Sequence, residues 1–204
     1  MLVTKVEPVS IKSKRFRVEL DEEFAFVLYK GELSHYRIKE GNELTEEVCQ
    51  KIRSEIILKR AKLRALHLLN DSAKSEAGLR EKLIRGLYPA DIVDQAIDYV
   101  KKFGYLDDLA YAKNFIESRK GSKSRKEIYA ALLGKGVESS VMEQAMEEVY
   151  GTSDEKEAIR RLMQKRHFDA LSASSEAILK EKAFYARKGF RYEDICKAFD
   201  ESQS

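Results

Sequence analysis

Four groups of basic residues carry most of the chemistry that this sequence offers. Lys59, Arg60, Lys62 and Arg64 form the first, and Arg119, Lys120, Lys123, Arg125 and Lys126 the second. Arg160, Arg161, Lys165 and Arg166 follow, then Arg187, Lys188 and Arg191. Side chains of this kind neutralise the phosphates of a nucleic-acid backbone without reading its bases. Any one of them alone is also what a solvated helical face presents. Their recurrence along the chain favours a continuous basic track, and all of them are candidates for a face that meets an anionic partner. Acidic residues are kept apart from them. Residues 113–135 carry seven basic and two acidic side chains, whereas 136–157 carry one basic and seven acidic.

Patterns for catalysis are missing. His35, His67 and His167 have no HExxH spacing, and no GxSxG occurs. Cys49 and Cys196 are far apart and outside any CxxC, which argues against a disulfide framework and a metal site. Gly121-Ser122-Lys123-Ser124 lacks the upstream glycine of a phosphate loop and reads as a turn between helices. Asp107 and Asp108 are adjacent carboxylates with no glycine-spaced third ligand, a poor Ca²⁺ loop but a good helix cap. The expectation is a binding protein that is not an enzyme and needs no cofactor.

The elements that must position these residues are mostly helices. Of 204 residues, 36% are charged and only 2 are proline, so long helices with wide wet faces are favoured over loop-rich folds. The net charge of +3 excludes a histone-like polycation. The first residues lack the basic and apolar regions of a signal peptide, and no apolar stretch is long enough for a membrane span. A monomer in a reducing cytoplasm is expected. Before Thr45 the pattern is β: Lys14–Leu20 alternates, Phe24–Tyr29 is aromatic and β-branched, and Val3–Val9 is a third candidate strand. The turn between the first two has no glycine, which leaves its type open. From Thr45, a credible N-cap, the period becomes helical, with Val48, Ile52, Ile56, Lys59 and Leu63 on one side.

An internal repeat organises the helical part. With Tyr88, Val137 and Phe190 aligned, position +5 holds Val93, Met142 and Ile195. Position +8 is alanine in all three copies, Ala96, Ala145 and Ala198. Position +9 holds Ile97, Met146 and Phe199, and position −5 holds Leu83, Leu132 and Tyr185. Position −1 is Leu87, Gly136 and Gly189. Glycine there stops a helix with φ > 0, and in the first copy the glycine moves to Gly86, so that turn is expected to differ. Further helices near 46–70, 107–119 and 154–168 complete three tandem three-helix units. The fold class is mainly α, tandem three-helix repeats in an elongated curved array, with a small N-terminal β extension. The expected limits are 1–44 for the extension and 45–103, 104–151 and 152–204 for the repeats.

The junction of repeats one and two reads Gly104-Tyr105-Leu106-Asp107-Asp108-Leu109-Ala110-Tyr111-Ala112, followed by Phe115 and Arg119. This resembles the signature of the RecX family, bacterial regulators of the RecA recombinase. Ala65-Leu66, Leu68-Leu69, Ser75-Glu76 and Leu79–Leu83 resemble that family's first repeat. Asp21–Phe26 and Gly41–Leu44 resemble the β extension of its Gram-positive members. The sequence departs from that family at Glu22, where the hairpin glycine is missing, and around Ser172–Ser175. In physical terms Gly104 ends a helix, Tyr105 and Leu106 turn into the core, and Asp107 or Asp108 caps the next helix. The resemblance implies binding to the RecA filament on single-stranded DNA, with weaker contact to duplex, and lowered filament extension, ATP hydrolysis and strand exchange. The alternative is an autonomous DNA-binding protein with helix-turn-helix-like units. The acidic segment Glu138, Glu143, Glu147 and Glu148 argues against a groove reader there.

Overall fold

The computed structural model describes residues 1–151 and 153–202. The limits expected for the third repeat at Thr152 and Ser204 lie outside the described residues. The chain divides into two compact units, Met1–Leu106 and Asp107–Ser204, and the break falls inside the Gly-Tyr-Leu-Asp-Asp block.

The first unit opens with an antiparallel three-stranded meander of β1 (Val3–Pro8), β2 (Arg15–Leu20) and β3 (Glu23–Tyr29). Alternation in β2 sends Val18 and Leu20 inward with Val3, Phe26 and Leu28. Leu20 pairs with Glu23, so the turn has two residues, and Asp21 and Glu22 take φ of 50° and 70°. Two positive φ values define the primed hairpin turn that matches strand twist. The strain of non-glycine residues is offset locally. The Leu2 N–H donates to Asp21 Oδ1 at 2.7 Å and the Glu22 N–H to Thr4 Oγ1 at 3.0 Å. A short α1 (Lys30–His35) follows β3.

A helical run then starts at Thr45, whose Oγ1 accepts the Val48 N–H. It comprises α2 (Glu46–Ile52), a π-helical stretch Arg53–Leu58, and α3 (Lys59–Asp71). Its buried residues are Ile52, Ile57, Ala61, Ala65 and Leu68. The step from Ile52 to Ile57 is five residues because a π turn takes one more residue than an α turn. This corrects the face read through Ile56, Lys59 and Leu63: Leu63 is 68% exposed. In the same stretch, Ser54 Oγ donates to the Gln50 carbonyl at 2.9 Å. Helices α4 (Glu76–Arg85) and α5 (Ala90–Lys102) complete the first three-helix domain.

The second unit has two cores. Helices α6 (Asp108–Glu117), α7 (Arg125–Leu133) and α8 (Ser139–Val149) surround Phe115, Ile116, Ile128, Leu132 and Met142. Helices α9 (Asp154–Lys165), α10 (Ser175–Arg187) and α11 (Tyr192–Glu201) surround Ile159, Met163, Tyr185, Ile195 and Phe199.

The repeat columns have one structural meaning. The N–H groups of Tyr88, Val137 and Phe190 donate to the carbonyls of Leu83, Leu132 and Tyr185 at 3.3, 3.3 and 3.2 Å. These are closures in which the chain doubles back and bonds five residues upstream, and the intervening residue must be left-handed. Gly136 and Gly189 have φ of 71° and 86°, and Leu87 has φ of 65°. The first turn therefore does not differ: Leu87 takes the strained conformation itself, while Gly86 stays helical at −74°. Gly86 is needed for space, since a Cβ there would lie 3.0 Å from the Leu83 carbonyl oxygen and 3.1 Å from the Tyr88 ring.

Gly104 closes α5 in the same way, with φ of 72° and the Tyr105 N–H donating to the Val100 carbonyl at 2.9 Å. Leu106 is buried, but Tyr105 is 60% exposed. The expectation that Tyr105 turns into the core is thus corrected. Its backbone seals the helix end, while its ring lies outside, 6.5 Å from that of Phe103. Asp107 caps α6, accepting the Leu109 and Ala110 N–H groups at 2.8 and 3.0 Å. A Cβ at Gly104 meets nothing within 4 Å, so Gly104→Ala costs backbone strain alone. Urea unfolding is expected to show a loss of about 1 kcal/mol, and an unchanged midpoint would contradict the closure.

Candidate nucleic-acid interface

The basic candidates divide by what their charges touch. In the first unit Arg60 is held inside the protein. Its guanidinium donates to the Val27 carbonyl at 3.1 Å and to Glu32, and it lies 4.7 Å from the centre of the Tyr29 ring. It ties α3 to β3 and α1. Lys62 lies over the Tyr99 ring. Lys59 and Arg64 are exposed and have no ion pair among the described residues.

The second unit shows the same division. Lys120 donates to the Val149 carbonyl at 3.0 Å and pairs with Glu117 and Asp154. Its ammonium therefore helps fasten the end of α8. Arg166 makes a two-pronged contact with Glu181, at 2.6 and 3.0 Å, and covers the Phe184 ring. Glu181 is 7% exposed and also accepts the Tyr185 hydroxyl, so Arg166 neutralises a buried carboxylate. Arg160 pairs with Glu157 and Glu201, and Arg161 with Glu157. Arg119 stacks on the Phe115 ring, and Lys123 pairs with Glu127. Lys165 lines a small recess with Arg161, Gly121 and Glu117.

Four candidates far apart in sequence come together at the start of α7 and the turn after α10. Ser124 is fully buried; its Oγ donates to the Lys188 carbonyl at 2.7 Å and accepts the Glu127 N–H. Glu155, 5% exposed, accepts the N–H of Arg125 at 3.0 Å and that of Arg191 at 3.5 Å. Burial pushes the Glu155 carboxyl up, and Asp194 beside it adds to that. The stem of Lys126 runs over Gly189, where an added Cβ would lie 3.1 Å from it. Arg125, Lys126, Lys188 and Arg191 thereby border one buried junction, and Arg187 is exposed at the last residue of α10, next in sequence to Lys188. Lys188 is 3.9 Å from Glu127, and the other four have no ion pair among the described residues. Cations without carboxylate partners are free to meet phosphates.

No three His, Cys, Asp or Glu side chains gather as a metal site among the described residues. The histidines are all exposed, both cysteines are free thiols, and no described helix is long and apolar enough to cross a membrane.

A protein named Regulatory protein RecX from Caldanaerobacter subterraneus subsp. tengcongensis is 32% identical over 201 residues, spanning 98% of this chain and 99% of the relative. The chain belongs to the RecX family. Residues 61–99 match the family's first three-helix domain and residues 107–146 its second. Regulatory protein RecX of Clostridioides difficile is 24% identical, over 95% of this chain and 92% of its own length. A crystal structure of regulatory protein RecX has the same fold, with a TM-score of 0.65 at 22% identity over 98% of both chains. RecX from Lactobacillus salivarius superposes with a TM-score of 0.64 at 20% identity, covering 72% of this chain and 96% of that one. The chain is thus a member of a family of regulatory proteins.

Reading the sequence missed a second cationic surface of this RecX-family chain, in its first unit. Arg15, Lys82, Arg85, Tyr29 and Tyr88 join Arg60 and Arg64 around a cleft of about 620 Å³. These residues come from β2, β3, α3, α4 and the turn after it, so no local spacing announces them.

The two classes of cation are separable by experiment. Arg166→Glu is expected to lower the thermal midpoint, because it leaves Glu181 buried beside a like charge. Lys126→Glu, with no carboxylate partner to lose, is expected to stay within about 0.5 kcal/mol of the parent. Equal midpoints for the two variants would contradict the division.

Proposed function

We propose that this chain is a negative regulator of RecA. It binds the RecA filament on single-stranded DNA and lowers filament extension, ATP hydrolysis and strand exchange, in the control of recombination and DNA repair. The observation that carries this reading is the family match over nearly the whole chain. On this reading the chain is a β extension over 1–44 and three helical repeats over 45–103, 104–151 and 152–204, acting as a cytoplasmic monomer without a cofactor or catalysis of its own.

The unpartnered cations supply the chemistry. Arg125, Lys126, Arg187 and Arg191 in one unit, and Lys59 and Arg64 in the other, engage phosphates or acidic filament surface by charge. Contacts from several repeats reinforce one another, because once one is made the next is effectively intramolecular. A net charge of +3 then suffices. The exposed carboxylates of α8, Glu143, Glu147 and Glu148, speak against a helix that enters a DNA groove there.

The test is ATP hydrolysis by RecA on single-stranded DNA with this chain added below the RecA concentration. The rate is expected to fall, and reversal of Arg125, Lys126, Arg187 and Arg191 to Glu is expected to raise the half-inhibiting concentration about ten-fold. An unchanged rate at stoichiometric excess, from a chain that still binds DNA by itself, would overturn the reading in favour of an autonomous DNA-binding protein.

A further inference from the structure

The cleft of the first unit has a wall chemistry that the filament reading uses only at Arg64. Its floor and sides come from β2, β3, α3, α4 and the turn after α4, and none of its lining residues is a carboxylate. Arg60 and Arg85 are neutralised just outside it, by Glu32 and Glu81. Arg15, Arg64 and Lys82 have no ion pair among the described residues. Three uncompensated cations around one recess repel one another, an arrangement that an anion relieves.

The apolar part of the lining includes Tyr29, Leu63 and Tyr88, and Leu63 is 68% exposed there although large and aliphatic. The Tyr88 hydroxyl lies within the fields of Arg60, Arg64 and Arg15; burial nevertheless holds it in its neutral form, so it can donate a hydrogen bond to an anion. Two backbone features keep Tyr88 in the wall. Leu87 is held left-handed at φ of 65°, and Gly86 leaves the space that the Tyr88 ring fills. The helix closure from the Tyr88 N–H to the Leu83 carbonyl holds this conformation in place.

We propose that this cleft is a binding site for a free nucleoside diphosphate, with its phosphates among Arg15, Arg64 and Lys82 and its base against Leu63 and Tyr88. Charge decides between this ligand and a passing strand. A terminal phosphate carries about two negative charges at neutral pH, so a diphosphate carries about three, as many as the uncompensated cations. A strand brings one charge per nucleotide, and a recess of about 620 Å³ is the size of a small-molecule site, not of an extended groove. The planar fork of Arg15 or Arg64 suits two phosphate oxygens at once. The site would make a regulator sensitive to nucleotide supply, and it stands or falls independently of the filament reading.

The test is calorimetric titration of the full chain with ADP, with inorganic pyrophosphate and with an oligothymidylate as separate probes. ADP is expected to bind one to one and more tightly than pyrophosphate. Arg64→Glu combined with Lys82→Glu is expected to weaken ADP about ten-fold or more, with Lys126→Glu unchanged. Arg64 and Lys82 have no internal partner to lose, and Arg64→Ala serves as a milder second variant. Absence of ADP binding at millimolar concentration overturns the proposal. So does ADP binding that is indifferent to the double reversal. Loss of oligothymidylate binding alone in that variant would also overturn it, by making the cleft a strand contact. RecA ATPase inhibition, measured separately with Arg125, Lys126, Arg187 and Arg191 reversed to Glu, reports on the filament reading alone, since none of those four lines the cleft.

Discussion

Each helical domain turns on one backbone hydrogen bond, from the residue after a left-handed position to a carbonyl five residues upstream. Tyr88, Val137 and Phe190 donate it, and Leu83, Leu132 and Tyr185 accept it. The bond satisfies a carbonyl that the helix end would otherwise leave bare, and it brings the two side chains together at the start of the core. The next helix then leaves at a set angle. Its residues five, eight and nine places on, such as Met142, Ala145 and Met146, are nine-tenths or more buried in every copy. Alanine recurs at the middle position as the smallest side chain that still fills the close approach of helices. The same closure at Gly104 ends the first unit and presents Asp107 as the cap of the next helix.

Fixing the turns also sorts the charges. A side chain next to a closure or on a packed edge is drawn into internal work: Arg166 neutralises Glu181, and Lys120 holds the Val149 carbonyl at the end of α8. Arg60 serves the sheet because the π turn before it adds a residue and shifts the helix face, so that the guanidinium meets Val27 and Glu32. Cations remaining outside these contacts have only solvent, or a partner, to meet. Basic composition thus overstates the candidate face, and the accounting of partners narrows it.

The repeat columns were legible in the sequence because side-chain volume and glycine position are both local signals. They gave the inner faces of α4, α5, α7, α8, α10 and α11 and the glycines at 136 and 189. Leu87 was not legible: its type argues against a left-handed turn, and only the matching closure imposes it. The π turn was hidden for a similar reason, since a three- and four-residue period read from Val48 runs smoothly onto Ile56 and Leu63. The hairpin without glycine depends on Thr4 and Asp21, hydrogen bonds between strands that spacing within one strand cannot reveal. The cleft was least legible, because its cations converge from three separate elements and three of them, Arg15, Lys82 and Arg85, stand in no basic run that marks a site.

Central to this account is that unpartnered cations meet nucleic acid by charge alone, without reading bases. The most direct measurement is the affinity of the full chain for single strands of equal length and different sequence, across a range of salt concentration. The account predicts affinities that agree within about two-fold between sequences and fall steeply as salt rises. A strong preference for one sequence or for a defined duplex site, with weak dependence on salt, would contradict it.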